Sequence, residues 1–185
     1  MARLCRFQFV ATMGSEIVMT FELEELESPI GGILLVSGSG SVRALEFGGF
    51  ESRLNRLLAA HWGEAPALRP VAPTDFRRRV TDYFAGDLRA VDALPVQTAG
   101  TPFQESVWRA LRQIPAGHTW TYGELAAFIG KPKAMRAAGH ANSLNPVGII
   151  VPCHRVIGAN SSLTGYAGGI ERKQWLLQHE GARLL

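Results

Sequence analysis

The segment Asn145-Pro146-Val147-Gly148-Ile149-Ile150-Val151-Pro152-Cys153-His154-Arg155-Val156-Ile157-Gly158 sets a thiol, an imidazole and a guanidinium in the middle of an apolar run. A short apolar run bounded by proline and glycine predicts a buried strand or core segment. The reactive form of cysteine is the thiolate, and a neighbouring imidazole or positive charge is what produces it at neutral pH. Cys153 and His154 therefore offer nucleophilic chemistry, whereas Arg155 is expected to pin nearby carbonyls or a carboxylate. A buried cysteine can equally be a small hydrophobe. Adjacent residues also point apart in strands and helices, so His154 reaches the sulfur only across a turn, which Pro152 makes available, or through a water. A base in this role needs a group to orient it, and Glu180 near the end of the chain is the carboxylate on offer.

The elements that must position these groups are legible on both sides. Thr20 to Leu26 alternates apolar and polar residues, as a half-buried strand does. Ser28-Pro29-Ile30-Gly31-Gly32 is turn chemistry. Ile33 to Val36 and Val42 to Phe47, joined across Ser37 to Ser41, complete a small antiparallel sheet. Glu51 to Trp62 and Thr74 to Phe84 carry helical spacing, the second with Arg77, Arg78 and Arg79 in a row. Gly86 to Gly100 reads as loop and marks the boundary between halves.

Thr101-Pro102-Phe103-Gln104 then opens a helix with an N-cap, a proline at the first position and a capping box. Its apolar face runs through Phe103, Val107, Leu111 and Ile114, and Pro115 to Gly117 ends it. Thr121-Tyr122-Gly123-Glu124 is a second capping box that opens a short helix, broken at Gly130. A small-residue helix over Pro132 to Ala141 follows. A helix, a glycine turn and a second helix make the outline of a helix-turn-helix, offering Lys133, Arg136 and His140 to a partner. Ser161 to Gly169 is a glycine-rich loop, and Glu171 to Gly181 closes with a helix.

Composition narrows the class. The chain has 185 residues and is 46% hydrophobic, enough for a packed core. No apolar run approaches the ~18 residues that span a bilayer, and a signal peptide is not expected. Two distant cysteines, Cys5 and Cys153, make neither a disulfide framework nor a zinc pattern, so a cytoplasmic setting and no metal are expected. Residues 1–100 hold ten Lys/Arg and twelve Asp/Glu, a net of −2, against nine and four, a net of +5, in residues 101–185. The basic half contains Cys153, which suits an anionic partner such as a nucleic acid backbone.

Pro152-Cys153-His154-Arg155-Val156-Ile157 resembles the active-site signature of the O6-alkylguanine-DNA alkyltransferases, also called methylated-DNA–protein-cysteine methyltransferases. The likeness is strong from Thr101 to Gly181 and looser from about Phe21 to Gly100. It implies an α/β (α+β) fold, with a ribonuclease-H-like N-terminal subdomain over 19–98 and a mostly helical DNA-binding and alkyl-acceptor subdomain over 99–185. Residues 1–18 are an extension of unclear role. It further implies that Cys153 takes an alkyl group from O6 of guanine in double-stranded DNA, once per molecule, with His154 and Glu180 as its relay and no cofactor. O4-alkylthymine is an open second substrate.

The same resemblance makes Arg136 the residue that fills the gap left by a flipped base, with Ala137 beside it in the minor groove. Tyr122 is the tyrosine that touches the base and its 3′ phosphate, and Asn145 the hinge between the recognition helix and the active-site segment. Tyr166 with Ala167 and Gly168 becomes the pocket wall, and the carbonyls of Cys153 and Val156 acceptors for the exocyclic amine. A monomer is expected. His140 departs from the pattern, standing where a small residue is expected. Three rivals share parts of the pattern: a non-catalytic lesion-binding relative, which would lack the cysteine; a Cys-His acyl hydrolase, which would need an oxyanion hole; and a helix-turn-helix regulator, which would need no relay.

Overall fold

The computed structural model describes residues 19–63, 66–160 and 162–182. The expected extension at 1–18, with Cys5, lies outside the described residues. Strands β1 (Thr20–Leu26), β2 (Ile33–Gly38) and β3 (Ser41–Phe47) form the expected antiparallel meander. Helix α1 (Glu51–Trp62) then returns the chain to β4 (Ala67–Pro70), which pairs parallel to β1. The sheet is therefore mixed, in the order β3-β2-β1-β4. The sequence reading lacked β4, a four-residue edge strand mostly in contact with solvent, where Pro70 costs no ladder hydrogen bond.

Because strand side chains alternate between faces, Ile33 and Leu35 join one apolar cluster, whereas Leu34 and Val36 join the other. The smaller cluster is sealed by Leu54 and Leu58 of α1. The larger continues without a break into the C-terminal half, through Val80, Val107, Leu111, Leu125, Ala138, Val147 and Leu176.

Helix α2 (Asp75–Phe84) begins at Thr74, whose side chain accepts from the Phe76 amide. The stretch after it, expected as loop, is strapped to the edge of β3: Val42 N–H donates to Pro95 O at 2.8 Å, and Gln97 N–H to Val42 O at 3.0 Å. Helix α3 (Pro102–Leu111) carries the expected capping box of Thr101 and Gln104, but ends before Ile114, which is buried in the turn that follows. Strand β5 (Trp120–Thr121) leads into α4 (Tyr122–Phe128), capped by Thr121 with Glu124. Gly130, at φ +70°, then turns the chain. A single 3-10 turn at Pro132–Ala134 precedes α5 (Met135–Ser143), so the expected second helix of the pair is split in two. Ala138 and Ala141 let α5 lie close against α3, where Trp108 Nε1 donates to Ala141 O at 2.9 Å.

The apolar run is buried as predicted, but it is not a strand until β6 (Val156–Ile157), which pairs parallel to β5. Turns coil it, with Ile149 at φ +68°. A β-branched residue in the left-handed region is a genuine outlier, costing about 1–3 kcal/mol. Helix α6 (Ile170–His179) closes the described chain, and Glu180 is its C-cap.

Candidate active site

Cys153, His154 and Arg155 occupy one 3-10 turn that starts at Pro152. Side chains in so tight a helix fan around its axis about 120° apart, so Cys153 and His154 leave the turn in different directions and a bridging water is the route between them. His154 is fully buried, and its Nε2 lies 2.9 Å from Glu180 Oε1. An ionised carboxylate only accepts, so Nε2 carries the proton and Nδ1 keeps the lone pair. Nδ1 is buried and makes no hydrogen bond among the described residues. It is the ring nitrogen left to take a proton from a neighbour.

Glu180 is held from three sides. Arg155 donates to both carboxylate oxygens, from Nε at 2.9 Å and Nη2 at 2.8 Å, and from Nη1 to the carbonyl of Ile114. The expectation that Arg155 pins a carbonyl and a carboxylate is met by this fork. Tyr83, from α2 in the other half of the chain, donates its hydroxyl to Glu180 Oε1 at 2.7 Å. Burial alone would raise the Glu180 carboxyl, but the His154 and Arg155 partners outweigh it and hold Glu180 well below the usual carboxylate range. His154 is pushed down by burial, against the pull of Glu180, and so rests neutral. Burial pushes the Cys153 thiol up, with Asn145, Arg53 and Lys173 offsetting part of the rise. The resting site is thus a protonated thiol followed along the chain by a neutral imidazole whose Nε2 is anchored to a carboxylate.

Asn145 is buried, donating from Nδ2 to Val151 O at 2.7 Å and accepting the Val147 amide on Oδ1 at 3.0 Å. It ties the end of α5 to the turn that carries Cys153. Tyr122, first residue of α4, is half-buried, and its hydroxyl accepts from Thr164 Oγ1 at 3.4 Å. A Cβ on Gly139 of α5 would sit 3.4 Å from the Tyr122 ring. Tyr166 is half-buried and meets the Phe47 ring edge-on, with centroids 6.3 Å apart. Ala167 is half-buried beside it, and at Gly168 a Cβ would stand 2.5 Å from Phe47, so a larger residue there requires the Phe47 ring to shift. Val156 is buried and its carbonyl accepts from Lys173 Nζ at 2.6 Å. The Cys153 carbonyl receives Asn142 Nδ2 at 3.4 Å.

Arg136 and Ala137 are not part of this buried network; they stand exposed on the outer side of α5, with His140 one turn further on. A groove of about 590 Å³ bordered by Ile30, Ile170, Arg172 and Trp175 shares Gly168 with the site but does not include Cys153.

Several residues of the site escaped the sequence reading. Lys173 is wholly buried, with burial bringing its ammonium down to about 8. Its place on the apolar stripe of α6, three residues before Leu176, was a usable signal. Tyr83 carries no local signal beyond its place among the buried residues of α2. Arg53 of α1 pairs with buried Glu46 and donates from Nη2 to the carbonyls of Ser143, at 2.8 Å, and Asn145, at 3.3 Å. Nothing near Arg53 in sequence announces that contact.

Residues 102–182 match the family described as 6-O-methylguanine DNA methyltransferase, DNA binding domain. The methylated-DNA–protein-cysteine methyltransferase of Salmonella typhimurium is 47% identical over 165 residues, covering 88% of this chain and 96% of its own length. The protein of the same description from Methanosarcina acetivorans is 46% identical over 156 residues, covering 84% and 96%. The crystal structure of Mycobacterium tuberculosis OGT in complex with DNA matches at 41% identity and a TM-score of 0.70, over 88% of this chain and 93% of that one. The O6-methylguanine-DNA methyltransferase of Pyrococcus kodakaraensis matches at 26% identity and a TM-score of 0.66, over 88% and 99%.

Proposed function

The chain belongs to the methylated-DNA–protein-cysteine methyltransferase family, and from that premise we propose that Cys153 is the residue that receives the alkyl group. The chain repairs DNA by moving an alkyl group from O6 of guanine to its own cysteine. The observation that carries the residue assignment is the buried arrangement of Cys153, His154 and Glu180, with Nδ1 of His154 unpaired among the described residues and Nε2 anchored.

In the step itself, His154 Nδ1 takes the thiol proton, directly or through one water, while Glu180 steadies the imidazolium that forms. The thiolate attacks the alkyl carbon in line. The S–C bond forms as the C–O6 bond breaks, and the bonding pair stays on the base. The proton ends on guanine N1, so the products are unmodified guanine and a thioether. Nothing is oxidised or reduced, and no metal or cofactor enters the balance. A thioether has no ready leaving group, so each molecule acts once.

A base inside a duplex is out of reach of a thiol that is only 8% exposed, so the target is flipped out, at a cost of a few kcal/mol. The exposed Arg136, with Ala137 beside it, is the side chain placed to enter the minor groove and fill the gap. Tyr122, Tyr166, Ala167, Gly168 and the Val156 carbonyl form the receiving pocket, and Asn145 links that pocket to α5. O4-alkylthymine is a candidate second substrate. We read residues 19–98 and 99–185 as the two subdomains and the working form as a cytoplasmic monomer. No helix among the described residues is long and apolar enough to cross a membrane.

Intact-mass measurement after incubation with a duplex carrying one O6-methylguanine tests the assignment. One methylene's mass on the peptide holding Cys153, saturating at one equivalent and lost in Cys153→Ala, is the expected result. Tight binding of the lesion duplex with no mass gain would leave a lesion-binding protein instead.

A further inference from the structure

Among the described residues, Tyr83 is the one member of the relay network supplied by the N-terminal half, from α2, 97 residues away from the carboxylate it touches. Its side chain is fully buried and its placement is fixed. The ring packs edge-on against Phe84 and His179, with centroids 5.3 Å away in each case, and the Tyr83 carbonyl is 2.8 Å from His179 Nε2. Phenylalanine would fill the same space and keep every one of these contacts. What the hydroxyl adds is a single hydrogen bond to Glu180 Oε1.

That oxygen is crowded. Among the described residues, Oε1 accepts from Tyr83 at 2.7 Å, from Arg155 Nη2 at 2.8 Å and from His154 Nε2 at 2.9 Å, whereas Oε2 accepts only from Arg155 Nε at 2.9 Å. A carboxylate has about four lone-pair sites, and Arg155 alone satisfies its charge in bidentate fashion. Glu180 does not need Tyr83 to be paired. Tyr83 and His154 therefore draw on the same electron density, and a stronger donor at one position weakens the hold on the other.

We propose that Tyr83 is a positioning residue of the alkyl-transfer relay, its hydroxyl setting how firmly Glu180 holds the His154 imidazole. The inference rests on the reading of Cys153, His154 and Glu180 given above. The other ionisable groups facing the relay are Arg155 and Cys153 in the same turn and Lys173 from α6, with Tyr166 reaching it through Cys153 and His179 standing against the Tyr83 ring. Removing one hydroxyl takes no hydrogen bond from any of them, and only Arg155 and Tyr166 lose an electrostatic neighbour. Without it, Glu180 holds the imidazolium more strongly, and His154 stays protonated, unable to accept from the thiol, up to a higher pH.

The test is the single-turnover rate of alkyl transfer from an O6-methylguanine duplex as a function of pH, with thermal unfolding measured in parallel. In Tyr83→Phe the acid limb of the rate profile is expected to move to higher pH by about half a unit or more. Site-specific 3-fluorotyrosine at position 83, a more acidic and stronger donor, should move it the other way. Profiles that superimpose on wild type, whatever happens to the melting temperature, would reduce Tyr83 to a packing residue and overturn the proposal. If Tyr83→Phe does not fold, the fluorotyrosine profile decides alone. A wild-type protein that transfers no alkyl group would instead sink the reading of the site.

Discussion

Glu180→Gln is the substitution through which the structure speaks most directly about both stability and reaction. The glutamine is isosteric, so packing is untouched, but one of its two acceptors becomes a donor and the negative charge disappears. Arg155, whose side chain is 4% exposed, is then left as a buried cation without a counter-ion. Removing one partner of a buried pair costs about 3–5 kcal/mol. At about 2–4 °C per kcal/mol for a chain of this length, the melting temperature should drop by on the order of 10 °C. Replacing both partners, as Arg155→Met with Glu180→Gln, removes the stranded charge and should recover part of that loss, since an apolar replacement of a buried pair is often neutral.

Alkyl transfer should not recover with it, because the charge that steadies the His154 imidazolium is missing from both variants. A second signature comes from acid. Glu180 titrates below its unfolded value, so the stability it contributes is full above the ordinary carboxylate range and is lost as pH falls through it. The neutral His154, also held below its unfolded value, adds a loss that begins lower than about pH 6.5. Glu180→Gln should keep the second loss and abolish the first. Calorimetry across pH on the three proteins, beside single-turnover assays, makes the comparison. A double variant as unstable as the single one, or one that regains transfer, would refute the account of Glu180 as both counter-ion and anchor.

Other perturbations follow from the same geometry. Arg53→Met should cost about 3–5 kcal/mol by stranding Glu46, whose side chain is 3% exposed. Hydrogen exchange should accelerate at residues 143–148 and fall back in Arg53→Met with Glu46→Gln only if charge, not the grip on the Ser143 and Asn145 carbonyls, is what orders them. Gly168→Ala forces a methyl group against Phe47 and should cost about 1–3 kcal/mol, with a slower transfer rate on duplex substrate as the functional readout. Lys173 sits below its unfolded value of 10.5 at about 8, so its folded form binds fewer protons between those values and wild-type stability should gain from it as pH rises through that window. The difference curve against Lys173→Met, by chemical denaturation from pH 7 to 10.5, should show that slope.

What could be read in advance was whatever is encoded locally. The capping boxes at Thr101 and Thr121 name their own hydrogen bonds, and the apolar periods of β1 to β3 and α1 to α3 are set by neighbours within a few residues. The signature from Pro152 to Ile157 located the thiol. The left-handed turn at Ile149 was invisible, because a run of β-branched residues argues for a strand until tertiary packing imposes a coil. Tyr83 and Arg53 were invisible for a different reason. Glu180, which Tyr83 touches, and the Ser143 and Asn145 carbonyls, which Arg53 holds, lie 90 to 97 residues away, and in sequence each looks like an ordinary residue of an amphipathic helix. Lys173 falls between the two cases, since a lysine on an apolar stripe is a local contradiction that only the carbonyls of Val156 and Thr164 resolve.

The outer edge of β3 is closed entirely by segments made later in synthesis. Leu45 N–H donates to Pro146 O at 2.9 Å and Gly148 N–H donates back to Leu45 O at 3.1 Å, while Val42 is bracketed by Pro95 and Gln97. A ribosome that has just released the first ninety residues has therefore produced a sheet whose outer edge is still waiting for its cover, and an open edge is a template for any other extended chain. Fragments ending near residue 90 should pair with themselves and precipitate, whereas the full chain caps its own edge by the same backbone contacts that bring the cysteine turn home. The last step of tidying the sheet and the first moment of having an active site are then one folding event.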